Sequence, residues 1–175
     1  MDALDTAHMA DSEVRAEKFY RRSFDTVLPE DVKAALMGFT CALNVVDVLL
    51  AGDVGEASAA TVLKLRYITL HHVLSSLRKL AEQYASHLQP PTRSLLNDIL
   101  TDPTSLLLMQ AHAGFRNTLV HYRPEQRLEN QLSVQLPLYG LADAYFPGRN
   151  FTTLRTMVAR HTAYVAQRME AWSRG

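Results

Sequence analysis

Apolar residues in this chain recur at intervals of three and four, and that spacing commits most of it to amphipathic helix. Val32, Leu36, Phe39, Leu43, Val46 and Leu50 form one stripe; Leu63, Tyr67, Leu70, Leu74, Leu77, Ala81, Tyr84 and Leu88 form a longer one. At 3.6 residues per turn each set falls on one helix face, which must be buried against a partner. The pattern predicts a helix over about 29–51, with Pro29 tolerated in its first turn, and another from near 58 to the Pro90-Pro91 stop. These two are expected to pair as an antiparallel hairpin. Short helices are expected over 92–100 and 103–122. A last one, over 151–172, is carried by Leu154, Met157, Val158, His161, Val165, Met169 and Trp172. The expected fold class is all-α, a bundle of four or five main helices.

Two segments fall outside the periodic pattern. Residues 1–13 read as a flexible start, with Val14, Phe19 and Phe24 able to anchor a short helix, so the helical domain is expected over 14–175. Residues 123–150 form a long connection before the last helix. Within it Leu132, Val134, Leu136 and Leu138 alternate as in a short edge hairpin, while Pro137 excludes a central strand. An irregular path and a hairpin are both open, and either would begin beside His121 and cover what lies there.

The chain has 175 residues, 47% of them hydrophobic, with 7 Gly and 7 Pro. That is enough for one domain with a full core. No apolar run reaches the roughly 18 residues a membrane helix needs, and the acidic first residues lack a signal-peptide core, so a cytoplasmic protein with no membrane partner is expected. The single cysteine, Cys41, excludes an intrachain disulfide and a multi-cysteine zinc site, and its helical neighbours suggest a buried, inert thiol. Net charge is zero, yet residues 1–60 carry −6, residues 61–115 carry +2 and residues 116–175 carry +4. All eight cations of the last third are arginines. Such a segment suits a phosphate-bearing partner, and it equally suits an ordinary solvated helix face.

Chemistry gathers in one place, the stretch Arg116-Asn117-Thr118-Leu119-Val120-His121-Tyr122. Arginine is a permanent cation matched to phosphate oxygens, and histidine exchanges protons near neutral pH. Together they suggest phosphate chemistry with no metal and no cofactor. On a helical projection Leu108, Ala111, Leu119 and Tyr122 cluster about Phe115 as a core face. Gln110, Ala113, Gly114, Asn117 and His121 make a small, polar opposite face that invites close approach, for which a second copy is the expected partner, with a two-fold axis near Gly114 and Asn117. Arg116 and His121 project about 140° apart with Asn117 between them, so two helices crossing at such an axis would combine them better than one alone.

The spacing resembles the HEPN domains, all-helical proteins whose ribonuclease members carry Arg, a polar residue, and His four to six residues after the Arg. Arg116, Asn117 and His121 occupy those positions. Toxin-type members often place a Tyr one residue beyond Tyr122, where this chain has Arg123. The resemblance implies a homodimer with a composite cleft that cleaves RNA without metal. His121 would be general acid/base, Arg116 would stabilise charge on the phosphorane, and Asn117 would position the phosphate or hold the imidazole tautomer. It also implies a separately encoded antitoxin, often a small nucleotidyltransferase, which could act by modifying a hydroxyl near the cleft such as that of Tyr122. The alternative within the same family is a non-catalytic interaction or ligand-binding module. A small-molecule-binding helical regulator is a third class, to be favoured by an apolar pocket.

Plainer readings stand beside each residue. A histidine at a helix C-terminus is favoured by the last carbonyls, an Asn there satisfies backbone groups, and an Arg forms surface ion pairs. His71 and His72 point about 100° apart and cannot share a metal, with His72 expected at the core boundary. His112 is expected to stack near Phe115. Tyr164 and Trp172 sit at packing positions, and no Ser or Cys has a nucleophile's local sequence setting. The sequon Asn150-Phe151-Thr152 has no secretion signal to give it meaning.

Overall fold

A computed structural model describes residues 16–50, 56–110, 112–121 and 123–174. The expected flexible start and Tyr122 lie outside the described residues, as do the side chains of His112 and Ala113. The described chain is all-helical, with no strand among the described residues; Phe24 and Leu88 form one isolated antiparallel bridge. In chain order the α-helices are α1 (Ala16–Ser23), α2 (Glu30–Asn44), α3 (Glu56–Gln83), α4 (Pro90–Thr101), α5 (Pro103–Gln110), α6 (His112–His121), α7 (Leu141–Tyr145) and α8 (Phe151–Arg174).

The first stripe becomes α2 and runs on without a break into a π-helical turn, Val45–Leu49. Pro29 precedes the first helical residue, where its missing N–H costs nothing. Arg66 of α3 donates to the carbonyls of Val46 (3.3 Å) and Leu50 (2.6 Å), so a cation satisfies acceptors that the end of the π turn would leave open. Phe39 of α2 meets His72 of α3 edge-on at 5.8 Å. Residue 46 beside 66 and 39 beside 72 fix the antiparallel hairpin.

α3 is the axle of the molecule, packing against α2, α4, α5, α6 and α8. Its buried residues Ala59, Val62, Leu63, Tyr67, Leu70, Val73, Leu74, Leu77 and Leu80 span an arc of about 140°, wider than one stripe, because neighbours flank it on several sides. The helix stops at Gln83, short of the prolines, although Tyr84 and Leu88 continue its stripe and stay buried. Between them the chain turns, and Asp25 N–H to the His87 carbonyl and Gln89 N–H to the Ser23 carbonyl bind that turn to the end of α1. Trp172 of α8 locks this corner. Phe19 stands edge-on to its ring at 4.8 Å, its indole N–H donates to Thr92 Oγ1 and its carbonyl accepts from Arg22.

Of the segment expected over 103–122, α5 and α6 are helical, and residue 111 between them lies outside the described residues. The Tyr67 hydroxyl donates to the buried carbonyl of Leu108 at 3.1 Å. Burial raises the Tyr67 pKa, so the phenol stays protonated and remains a donor. A Tyr67→Phe substitution removes this partner from a buried carbonyl and is expected to cost about 1–2 kcal/mol, read as a lower urea midpoint with unchanged slope. An unchanged midpoint would show that the packing of α5 on α3 does not depend on this bond.

Candidate active site

The helix that carries the motif is held from its apolar side. Phe115 is fully buried, with Tyr67 edge-on at 4.7 Å, Phe146 at 5.1 Å and Tyr145 at 5.4 Å between ring centres. Leu119, one turn on, is buried in the same core. Such aromatic pairs add about 0.5–1.5 kcal/mol each beyond their buried area, which fixes the rotation of α6 about its axis.

With that rotation set, Asn117 and His121 are exposed and Arg116 is half-buried. Arg116 Nη1 donates to Asn117 Oδ1 at 3.0 Å. Backbone projection alone separates Arg116 and His121 by about 140°, and Asn117 lies between them. The hydrogen bond draws the guanidinium toward the Asn117 side and therefore toward the side of His121. Asn117 thus holds the arginine through its Oδ1. His121 is the last residue of α6.

The 123–150 connection follows the irregular path and not the hairpin. Two 3₁₀ turns, Gln126–Gln131 and Pro137–Gly140, lead into α7. Leu132 and Leu138 pack on the core while Val134 and Leu136 face outward, so the alternation is real but no strand partner exists for it among the described residues. Leu138, Tyr139 and Gly140 take φ of 48°, 56° and 81°, a left-handed run that ends on the residue type that tolerates it best.

This connection covers one side of the motif helix. Thr118 Oγ1 donates to the Arg123 carbonyl at 3.3 Å and lies 3.0 Å from Tyr145 Oη, so the phenol donates to the threonine. A β-carbon at Gly114 would collide with the Glu125 carboxylate and lie 2.6 Å from Tyr145 Cε1. Glu125 is in turn paired with Arg127, whose guanidinium sits over the Tyr145 ring at 5.7 Å. Gly114 is therefore closed by the chain's own connection. An axis at Gly114 is corrected on that ground: the small residue admits Tyr145 and Glu125, not a second copy. What stays open is the strip of Asn117 and His121, with Arg116 turned toward it and exposed Arg123 following.

Elsewhere the structure corrects two readings. Cys41 is exposed, because it lies about 180° around α2 from the stripe that faces the core. His72 is exposed and covers the Phe39 edge, while His71 stacks on Tyr67. No group of three or more potential metal ligands occurs among the described residues.

One polar constellation was not legible at all. Ser105 Oγ lies 2.7 Å from His161 Nε2, and His161 Nδ1 lies 3.7 Å from Asp102 Oδ1. Asp102 also accepts from the backbone N–H of Thr104 and Ser105, capping α5. The order resembles a nucleophile, base and orienting acid, but Ser105 is 0% exposed and no substrate carbonyl reaches it. The trio pins α5 to α8. No local pattern announces it, since its members stand 56 residues apart.

Two outcomes follow from this geometry. Gly114→Ala should destabilise the fold by about 1–2 kcal/mol, because the clash with Tyr145 outweighs the roughly 1 kcal/mol that alanine gains in a helix. Chemical denaturation reads this directly, and equal or higher stability would mean that the connection does not dock there. Burial lowers the His161 pKa from its ordinary 6.5, partly opposed by Asp102. The unfolded chain therefore takes up the proton first, and stability should fall as pH drops from about 6.5 through the lower folded value. His161→Asn should flatten that part of the stability–pH curve. An unchanged slope would assign the acid sensitivity to other groups. No known family, curated protein or solved structure matches this chain, so its function is argued from its own residues.

Proposed function

We propose that the chain is a HEPN-like, cytoplasmic, metal-independent endoribonuclease that acts at the open strip of α6. The observation that carries the reading is the Arg116–Asn117 hydrogen bond on the same helix as an exposed His121. A guanidinium held in orientation and an accessible imidazole on one short helix are the two groups that RNA transesterification needs. His121 takes the proton from a ribose 2′-hydroxyl, whose oxygen attacks the adjacent phosphorus. Arg116 donates to the nonbridging oxygens, most strongly as charge grows on the phosphorane. The 5′-oxygen leaves with a proton from an imidazolium, giving a 2′,3′-cyclic phosphate and a 5′-hydroxyl end. DNA has no 2′-hydroxyl and is not cut.

The working form is a homodimer whose two copies complete the cleft, since the two side chains leave the helix in divergent directions. A separately encoded antitoxin, such as a small nucleotidyltransferase, would hold the enzyme inactive in its host, acting at the cleft or on Tyr122. The exposed apolar surface of α2 favours the alternative, a HEPN-type interaction or ligand-binding module without catalysis.

Purified protein should cleave mixed RNA or tRNA in EDTA and leave 2′,3′-cyclic phosphate ends. Arg116→Ala and His121→Ala should each lower the rate by about 10²-fold or more. Asn117→Ala should lower it less, and Asn117→Asp, which keeps an acceptor for Arg116, should restore part of the loss. Folded wild type that leaves every RNA intact would sink the enzymatic reading and put the module ahead.

A further inference from the structure

A pocket of about 550 Å³ lies between the start of α5 and the first half of α8, and no residue of α6 lines it. With Thr152 at zero and 100° per residue, Thr156 and Arg160 follow at about 40° and 80°, and Tyr164 and Met157 at about 120° and 140°. The first three are exposed and the last two half-buried, so the α8 wall passes from hydroxyls and a cation at its rim to a ring and a thioether further in. α5 adds Thr104. Buried His161 stands behind Tyr164, stacked on it at 5.5 Å with 26° between the rings, and Ser105 holds His161 Nε2 at 2.7 Å. The inner wall is therefore fixed in place.

The rim, by contrast, is uncommitted. Arg168 and Arg174 of the same helix are paired with Asp98 and Glu170. Arg160 makes no hydrogen bond or ion pair with any described residue, and neither do the hydroxyls of Thr104, Thr152, Thr156 and Tyr164. No carboxylate lines the pocket. Asp102, against His161 Nδ1, has its Oδ1 engaged by the N–H groups of Thr104 and Ser105. Those bonds cap α5, and Asn150 Oδ1 caps the Thr153 N–H of α8 at 2.9 Å, so both helix starts are already satisfied and side chains define the site.

We propose that this pocket binds a small phosphate monoester whose organic part is a flat ring. Arg160 is the one permanent charge in the lining, and a guanidinium fits phosphate oxygens with two N–H groups at once. Thr152 and Thr156, at successive turns of the same row, supply hydroxyls that can donate to the remaining oxygens. Tyr164, four residues beyond Arg160, and Met157 give the ring a surface on which to leave water, which a bare inorganic ion would not use. The volume falls within the roughly 300–1,000 Å³ of small-molecule sites. The proposal does not rest on the ribonuclease reading, because the two sites share no residue.

Titration calorimetry of the full-length protein with phenyl phosphate, inorganic phosphate and phenol separates the contributions. Phenyl phosphate should bind once per chain and about tenfold more tightly than inorganic phosphate, with phenol giving no measurable binding. Arg160→Gln, a change at an exposed position that should keep the helical circular dichroism, should weaken phenyl phosphate by about tenfold or more. Thr156→Val, which keeps the side-chain shape and removes the hydroxyl, should weaken it by about threefold or more. Arg116→Ala should leave its affinity unchanged. Wild type that binds no phenyl phosphate overturns the proposal, as does binding that survives both Arg160→Gln and Thr156→Val. Binding lost with Arg116→Ala overturns it by placing the ester on the α6 strip. Inorganic phosphate that binds as tightly as phenyl phosphate overturns it too, since the tyrosine wall would then play no part. RNA cleavage enters none of these readouts, so the two proposals stand or fall separately.

Discussion

Phe115 against Tyr67 is the contact on which the rest of the site depends. α6, like most helices in proteins, owes its shape and orientation more to tertiary packing than to itself. It acquires both from the axle helix: Tyr67 packs edge-on to Phe115 and, through its hydroxyl, holds the end of α5. One side chain thus contacts both α5 and α6. The direction in which Arg116, Asn117 and His121 leave the backbone follows from that anchorage.

The sides of α6 are then divided among different uses. Phe115 and Leu119 face the core, Gly114 and Thr118 receive the connection, and Asn117 and His121 remain in solvent. Tyr145 couples the first two uses, because its ring lies against both Phe115 and Gly114 while its hydroxyl meets Thr118. The arginines of the last third are divided too. Arg127 is held by Glu125, Arg168 by Asp98 and Arg174 by Glu170, whereas Arg116 is spent on an uncharged acceptor. A guanidinium bound to an amide keeps its full charge for an incoming anion, which an ion pair would cancel in part. That difference sets Arg116 apart from these three arginines more than its position in the sequence does.

The helices were legible because burial imposes a period, and α2, α3 and α8 each obey one. Their ends were less so. Tyr84 and Leu88 keep the α3 stripe after the helix has stopped, because a turn bound to α1 buries them as well as another helical turn would. The alternation at 132–138 has a similar lesson: Leu132 and Leu138 do face inward, but through 3₁₀ turns and left-handed residues, which no two-residue period distinguishes from a strand. Cys41 was misread because its apolar neighbours were taken as a sign of burial, although the angle from Leu36 already placed it opposite the core. Within the candidate site the spacing identified which residues share a helix. It did not identify the hydrogen bond from Arg116 to Asn117 or the closure of Gly114, since both depend on side chains and segments brought in by the fold.

Two histidines show how burial sorts chemistry from support. His161 has the more complete hydrogen-bonded setting, with a serine on one nitrogen and a carboxylate near the other. It is 5% exposed, its neutral form is favoured by desolvation, and its serine is sealed, so the arrangement fixes two helices together and admits no substrate. His121 has the poorer setting in isolation but stands in solvent at a helix end, on the same helix as Arg116. An acid/base group has to meet the proton it moves, and only the exposed histidine meets anything from outside. Hydrogen-bond geometry alone ranks His161 first; accessibility reverses the order, in keeping with the role proposed for His121.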